Sequence, residues 1–303
     1  MIDYLGAWKR RLLCRGEVLE VNAPAAAPRR TWRKRLVRWA VGLSGFYVAV
    51  VLVLLALEDR FLYPAASADD SWSPPGKLRV LDVELHREGT RLHAWWCPVE
   101  GADTTLLLCH GNAGNLSHRG PLIERLQRLP ASVLIFDYPG YGKSEGRPSE
   151  AGCYAAADAA YDWLVEVQKV PPERIVLAGV SLGGGVATDL AVRRRHRALV
   201  LCMTFTSAPD AARHAFPFVP TGWLMRNRFD NLAKIGQARQ GVFITHGVAD
   251  RGIPPSQSER LYAAAPEPKR YVPMRGVGHG WPLFTDDCLD ELRDFLRQLP
   301  EAE

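Results

Sequence analysis

Apolar residues fall along this chain in three patterns, each predicting a different kind of element. Residues 39–57 form a run of 19 without formal charge, dense in Val, Leu and Ala. As a helix rising ~1.5 Å per residue, that run would cover about 28 Å and could span a bilayer. From residue 78 onward, short apolar runs of strand length alternate with helical patterns. Residues 79–85 and 91–96 alternate polar and apolar around Glu88-Gly89-Thr90, as a half-exposed hairpin does. Residues 104–109, 132–136, 174–178, 198–203, 242–245 and 270–273 are continuous Val, Leu and Ile runs, typical of strands covered on both faces.

The third pattern is helical and fills the gaps, over residues 116–129, 150–168, 183–194, 255–264 and 283–299. In the last of these, Leu289, Leu292, Phe295 and Leu296 recur at three-to-four spacing with charges between them, the stripe of a helix that closes a domain. An antiparallel start followed by β-α alternation predicts an α/β fold: a mostly parallel, eight-stranded sheet flanked by helices. Residues 207–234 break the rhythm with Pro209, Pro217 and Pro220 and carry Trp223, Met225 and Phe229. They read either as a small lid after the sixth strand or as a packed pair of surface helices. The expected organisation is a basic segment (1–38), a transmembrane helix (39–57), a linker (58–77) and the folded domain (78–303).

Charge sharpens the first element. The formal net charge of +5 is local: Met1 to Arg38 carry ten Lys or Arg against Asp3, Glu17 and Glu20, so that segment is +7 and the rest −2. No basic stripe with interleaved aromatics marks the large domain, which argues against nucleic-acid binding. A basic cluster before an apolar run instead places the N-terminus in the cytoplasm and the large domain on the opposite, periplasmic or lumenal/extracellular, side. Two readings compete: a cleaved signal peptide, for which the basic segment and the apolar run are long, and an ordinary buried helix. The six cysteines show no CxxC or Cys/His ligand spacing, so no metal site is expected.

Candidate chemistry centres on Gly179-Val180-Ser181-Leu182-Gly183. Gly-x-Ser-x-Gly alone is a weak signal, but here a strand pattern ends on Gly179 and a helix opens at Gly183, the strand-to-helix turn that exposes a nucleophilic serine. A serine hydroxyl needs a base within reach and an acid to orient that base. In such folds they follow in the order Ser, Asp or Glu, His. His279, in the glycine-rich Gly276-Val277-Gly278-His279-Gly280 after the last strand, is the expected base. Asp250, ending His246-Gly247-Val248-Ala249-Asp250, is the expected acid. Asp137 competes but precedes Ser181 and is read as a turn residue. His246 and His110 are read as structural. The oxyanion hole is expected from the Leu182 amide and one from His110-Gly111-Asn112-Ala113-Gly114-Asn115, with Asn112 first and Ala113 second.

Taken in order, His-Gly-Asn-Ala-Gly-Asn, Asp137-Tyr138-Pro139-Gly140-Tyr141-Gly142-Lys143-Ser144, Gly-Val-Ser-Leu-Gly-Gly, His-Gly-x-x-Asp and Gly-x-Gly-His resemble the α/β-hydrolase superfamily over roughly residues 80–299. Among its branches the chain is most similar to single-pass membrane α/β-hydrolase-domain proteins and their bacterial, serine-aminopeptidase-like relatives. The resemblance implies hydrolysis of an ester, thioester or amide without a cofactor, on acyl-protein or lipid substrates. The short insertion departs from peptidase members with a large helical cap, which favours an ester or thioester over an amide. The remaining rivals are a peptidase or amidase on the same triad and a catalytically silent membrane scaffold.

Overall fold

The computed structural model describes residues 31–280 and 284–299; the expected basic segment through residue 30, residues 281–283, the last of which opens the final expected helix, and residues 300–303 lie outside the described residues. The chain divides into two compact units, Met1–Val51 and Leu52–Glu303. The elements begin with α1 (Thr31–Ala56), α2 (Glu58–Leu62), the hairpin β1 (Leu81–Arg87) and β2 (Thr90–Cys97), and β3 (Thr104–Cys109). There follow α3 (Gly120–Leu126), β4 (Ala131–Phe136), α4 (Glu150–Asp162), β5 (Ile175–Val180), α5 (Leu182–Arg193) and β6 (Ala198–Cys202). After α6 (Ala208–Ala215), α7 (Thr221–Leu224) and α8 (Asn231–Ile235) come β7 (Gly241–Gly247), α9 (Pro255–Ala264), β8 (Lys269–Met274) and α10 (Asp286–Gln298).

All eight strands form one sheet in the order β1-β2-β4-β3-β5-β6-β7-β8. β1 pairs antiparallel with β2 and β2 antiparallel with β4; every pairing from β4 through β3 to β8 is parallel. The continuous apolar runs are the central strands, and β3 to β7 are buried at every position. Successive side chains point to opposite faces, so each strand supplies two cores. One contains Leu107, Leu177 and Leu201 with Val186 and Leu190 of α5. The other contains Leu106, Val176 and Val200 with Ile123 of α3 and Leu289, Leu292 and Phe295 of α10. Helices therefore cover both faces, and the strands' C-terminal ends open at one edge.

The expected helix over 116–129 is shorter. Asn115 caps a 3₁₀ turn (Leu116–Arg119), accepting a hydrogen bond from the Ser117 amide, and Pro121 then stands in the first turn of α3. The helix over 150–168 is present, its last turn widened to π geometry at Trp163–Val167.

Residues 58–77, expected as a linker, are packed. Tyr63 is buried against Phe229 and donates its hydroxyl to Asn227 Oδ1 at 2.7 Å, while Ala65 and Ser67 bridge to Gly114 and Gly142. The Glu58 carboxylate accepts from the amides of Arg226 (3.1 Å) and Asn227 (2.8 Å) and from Asn227 Nδ2 (2.8 Å). Burial opposes its ionisation, but these bonds from Asn227 and Arg226 prevail and hold it below the usual Glu value. α2 is thereby fastened to the segment carrying α6 to α8.

Candidate active site

Ser181 stands between β5 and α5 with φ 52° and ψ −116°, a conformation unfavourable for any residue with a Cβ. Neighbours hold it there. The Ser181 amide donates to Cys202 O (2.9 Å), and Ser181 O accepts from Gly184 N (2.9 Å) and Thr204 Oγ1 (2.8 Å). The flanking glycines are required by space: a Cβ on Gly183 would lie 2.0 Å from Cys109 O, and one on Gly179 would lie 2.4 Å from Gly183 O. α5 can thus start directly against the end of β3, with Ser181 held at the strand edge.

Three chain segments meet at that edge. Ser181 Oγ lies 3.2 Å from His279 Nε2, and His279 Nδ1 lies 2.7 Å from Asp250 Oδ2. Asp250, on the turn after β7, is held by the amides of Gly252 and Ile253, both donating to Oδ1 at 2.8 and 2.9 Å. Burial raises the Asp250 pKa, but hydrogen bonds from His246, His279 and Ile253 outweigh it, and the carboxyl sits well below the usual carboxylate range. It is therefore ionised and orients the imidazole as Nδ1–H, leaving Nε2 free to accept the serine proton. Ser181, Asp250 and His279 form a Ser-His-Asp hydrolytic triad, and this is a serine-hydrolase active site.

His246 does more than end a strand. It is fully buried, and its Nε2 faces two acceptors, Asp250 Oδ2 at 3.1 Å and Ile253 O at 2.9 Å, while Nδ1 lies 2.6 Å from Ser258 Oγ. Two acceptors on one nitrogen fix that nitrogen as the donor, so Ser258 donates to the other. The i, i+4 spacing of His246 and Asp250 was the available signal for this contact. Asp137 is not part of the triad: it is buried near His110, 3.4 Å from Nε2, and its Oδ1 accepts from the Leu116 amide at 2.7 Å.

The loop after β3 lies alongside the serine, since a Cβ on Gly111 would be 3.6 Å from Ser181 Cβ. Its carbonyls are tied back by two buried tyrosines: Tyr138 donates to His110 O and Tyr141 to Asn112 O, each at 2.8 Å. Asn112 Nδ2 donates to Leu62 O at 3.1 Å. The Asp137–Gly142 turn, expected only as a turn, thus supplies the supports of this loop. Asn112, Ser181 and His279 line one cleft of about 210 Å³, together with Leu122 and Met203. Leu182 is buried at the first position of α5. Among the described residues, no group of three His, Cys, Asp or Glu is disposed to hold a metal ion.

Known proteins share this architecture. The family described as alpha/beta hydrolase fold matches residues 104–233. The protein Rv2307c of Mycobacterium tuberculosis is 39% identical over 257 residues, 82% of this chain and 90% of its own. The alpha/beta hydrolase domain-containing protein WAV2 of Arabidopsis thaliana is 32% identical over 248 residues, 74% of this chain and 80% of its own. Among solved structures, the Pyrococcus furiosus esterase Pf2001 superposes with a TM-score of 0.62 at 19% identity, covering 78% of this chain and 98% of that one, a likeness of fold. With the strand order, the serine on its strained turn and relatives matched over most of their length, this chain belongs to the α/β-hydrolase family.

Proposed function

We propose that this protein is a membrane-anchored serine hydrolase cleaving a carboxylic ester or thioester, on an acyl-lipid or acyl-protein substrate, through an acyl-enzyme. The observation that carries the reading is the relay from Ser181 Oγ through His279 to Asp250, at 3.2 and 2.7 Å. His279 takes the hydroxyl proton as Ser181 attacks the carbonyl carbon, and Asp250 stabilises the imidazolium. The backbone amides of Leu182 and Asn112, with Ala113 as alternate, receive the oxyanion; losing one such donor costs about 2.7–4 kcal/mol. Protonated His279 then passes its proton to the leaving alcohol or thiol. Water, deprotonated by the same base, releases the acid and restores Ser181. No metal or nucleotide enters these steps.

Membrane attachment rests on α1. Its residues Trp32–Ala56 form one apolar helix of 25 residues, about 38 Å long, with side chains such as Trp39, Val41 and Phe46 exposed. The basic residues before its uncharged run, which begins at Trp39, favour a cytoplasmic N-terminus, with the hydrolase domain on the opposite side. Residues 207–234, where Phe218 and Trp223 are 86% and 93% exposed, serve in this reading as a lid for an acyl chain.

A fluorophosphonate probe tests the nucleophile: labelling of the wild type and none of Ser181→Ala is expected. A well-folded protein that does not label would point to a silent scaffold. p-Nitrophenyl esters of increasing chain length, run against dipeptide amides, test the substrate class, and faster turnover of the amides would replace the esterase reading with a peptidase. An enzymatic reporter fused to the C-terminus tests topology; activity on the cytoplasmic side would reverse it.

A further inference from the structure

The cleft that holds Ser181 and His279 is also lined by Arg119. Arg119 ends the 3₁₀ turn after the Asn112 loop and is half-buried. A guanidinium removed from water is costly unless a carboxylate or a full set of acceptors receives it. Arg119 has neither among the described residues. Its Nη2 donates to the carbonyl of Ala113, its Nε is enclosed without a hydrogen-bond partner, and no carboxylate lies within ion-pair distance. Asp137, whose charge acts on Arg119, makes no ion pair with it: its Oδ1 accepts from the Leu116 amide and lies near His110. Burial accordingly pulls the Arg119 pKa below the ordinary guanidinium value, against the opposing pull of Tyr138 and Asp137. Arg193 and Arg194, at the end of α5, differ in that both are paired with Asp158.

We propose that Arg119 binds an anionic group of the substrate, so that the ester or thioester cleaved at Ser181 carries a carboxylate or phosphate within a few bonds of the scissile carbonyl. This rests on the serine-hydrolase reading above. The remaining walls divide the work: Leu122, Val180 and Met203 present apolar surface to the acyl or leaving group, and Arg119 is the one Arg or Lys among the residues lining the cleft. A guanidinium has five N–H donors in a planar fork suited to a carboxylate or phosphate. An anion seated in the cleft would be received by the terminal Nη donors of this fork, since Nε itself is enclosed.

Two matched substrate pairs, given to the full-length protein in neutral detergent micelles, test this and separate the sources of the charge. Mono-p-nitrophenyl glutarate against p-nitrophenyl pentanoate places the anion on the acyl side. A lauroyl lysophosphatidate against lauroylglycerol places it on the leaving-group side. The expected result is a kcat/KM about ten-fold or more higher for the anionic member of one pair, falling with added salt. Arg119→Gln should collapse that ratio and Arg119→Lys should restore part of it. A purely structural Arg119 would instead give no wild-type preference, or an equal loss on both members of each pair, and either result overturns the proposal. Ser181 labelling with neutral-ester turnover but no anionic preference defeats the Arg119 assignment alone. Absence of both labelling and turnover defeats the assignment together with the hydrolase reading.

Discussion

His246 Nε2 donates across 3.1 Å to Asp250 Oδ2, the same oxygen that receives the His279 Nδ1 proton at 2.7 Å. The acid of the triad is therefore held by a second imidazole from behind as well as by two amides. His246→Phe keeps an aromatic ring, slightly larger, but removes this donor and strands Ser258 Oγ and Ile253 O in the core. A loss of about 1–3 kcal/mol of stability is expected. A drop in kcat of about ten-fold or more should accompany it, with a smaller change in KM, because the orientation of His279 is loosened. Steady-state kinetics and urea melts measure both; unchanged kcat would reduce His246 to a packing role.

Asp250 also makes stability depend on pH in a definite direction. Its folded pKa lies below the unfolded value of about 3.9. Its ionised form therefore favours the folded state above that unfolded value, and the contribution is lost as pH falls from there through the folded pKa. The stability gap between wild type and Asp250→Asn should be full at pH 5 to 7 and narrow below about pH 4. Urea denaturation across that range checks it, and a gap that widens on acidification would contradict the assignment.

The backbone at Ser181 predicts a trade between stability and activity. Both Ser181→Ala and Ser181→Gly remove the nucleophile, and kcat should fall by about 10⁴-fold or more in each. Only glycine relieves the strain of φ 52°, so Ser181→Gly should be more stable than Ser181→Ala by about 1 kcal/mol. Thermal melts of the two variants decide this, and equal Tm values would mean the turn is unstrained.

Glu58 predicts how tightly α2 is fastened. Its carboxylate receives amide donors from Arg226 and Asn227, which Glu58→Ala leaves without acceptors, at a cost of about 1–3 kcal/mol. Limited proteolysis should then cut the segment between α6 and α8 at least several-fold faster, whereas Glu58→Gln, which keeps an acceptor, should fall between. An unaltered cleavage rate would show that the insertion is held by its other contacts.

Much of this architecture was legible because the central strands are buried on both faces: a run such as Leu106-Leu107-Leu108 permits few other readings, and β3 has the expected bounds. Ser181, Asp250 and His279 were legible because each has a fixed place relative to a strand end. What stayed hidden depends on neighbours distant in sequence. Nothing local tells that Tyr138 and Tyr141 hold the carbonyls of the loop after β3, that Arg119 lines the cleft, or that Glu58 and Tyr63 dock on Asn227. The residues between α1 and β1 looked like a linker because they are rich in Ser, Pro and Asp, a composition blind to the packing of Trp72 on Trp95 and of Tyr63 on Phe229.

The order in which the triad lies along the chain also governs when the enzyme can act. Synthesis proceeds from the N-terminus, so α1 emerges first, then Ser181, then Asp250, and His279 near the end. A nascent chain or fragment that ends between residues 181 and 279 holds the serine without its base. The relay is complete only once the turn after β8 has brought His279 against Ser181 and Asp250.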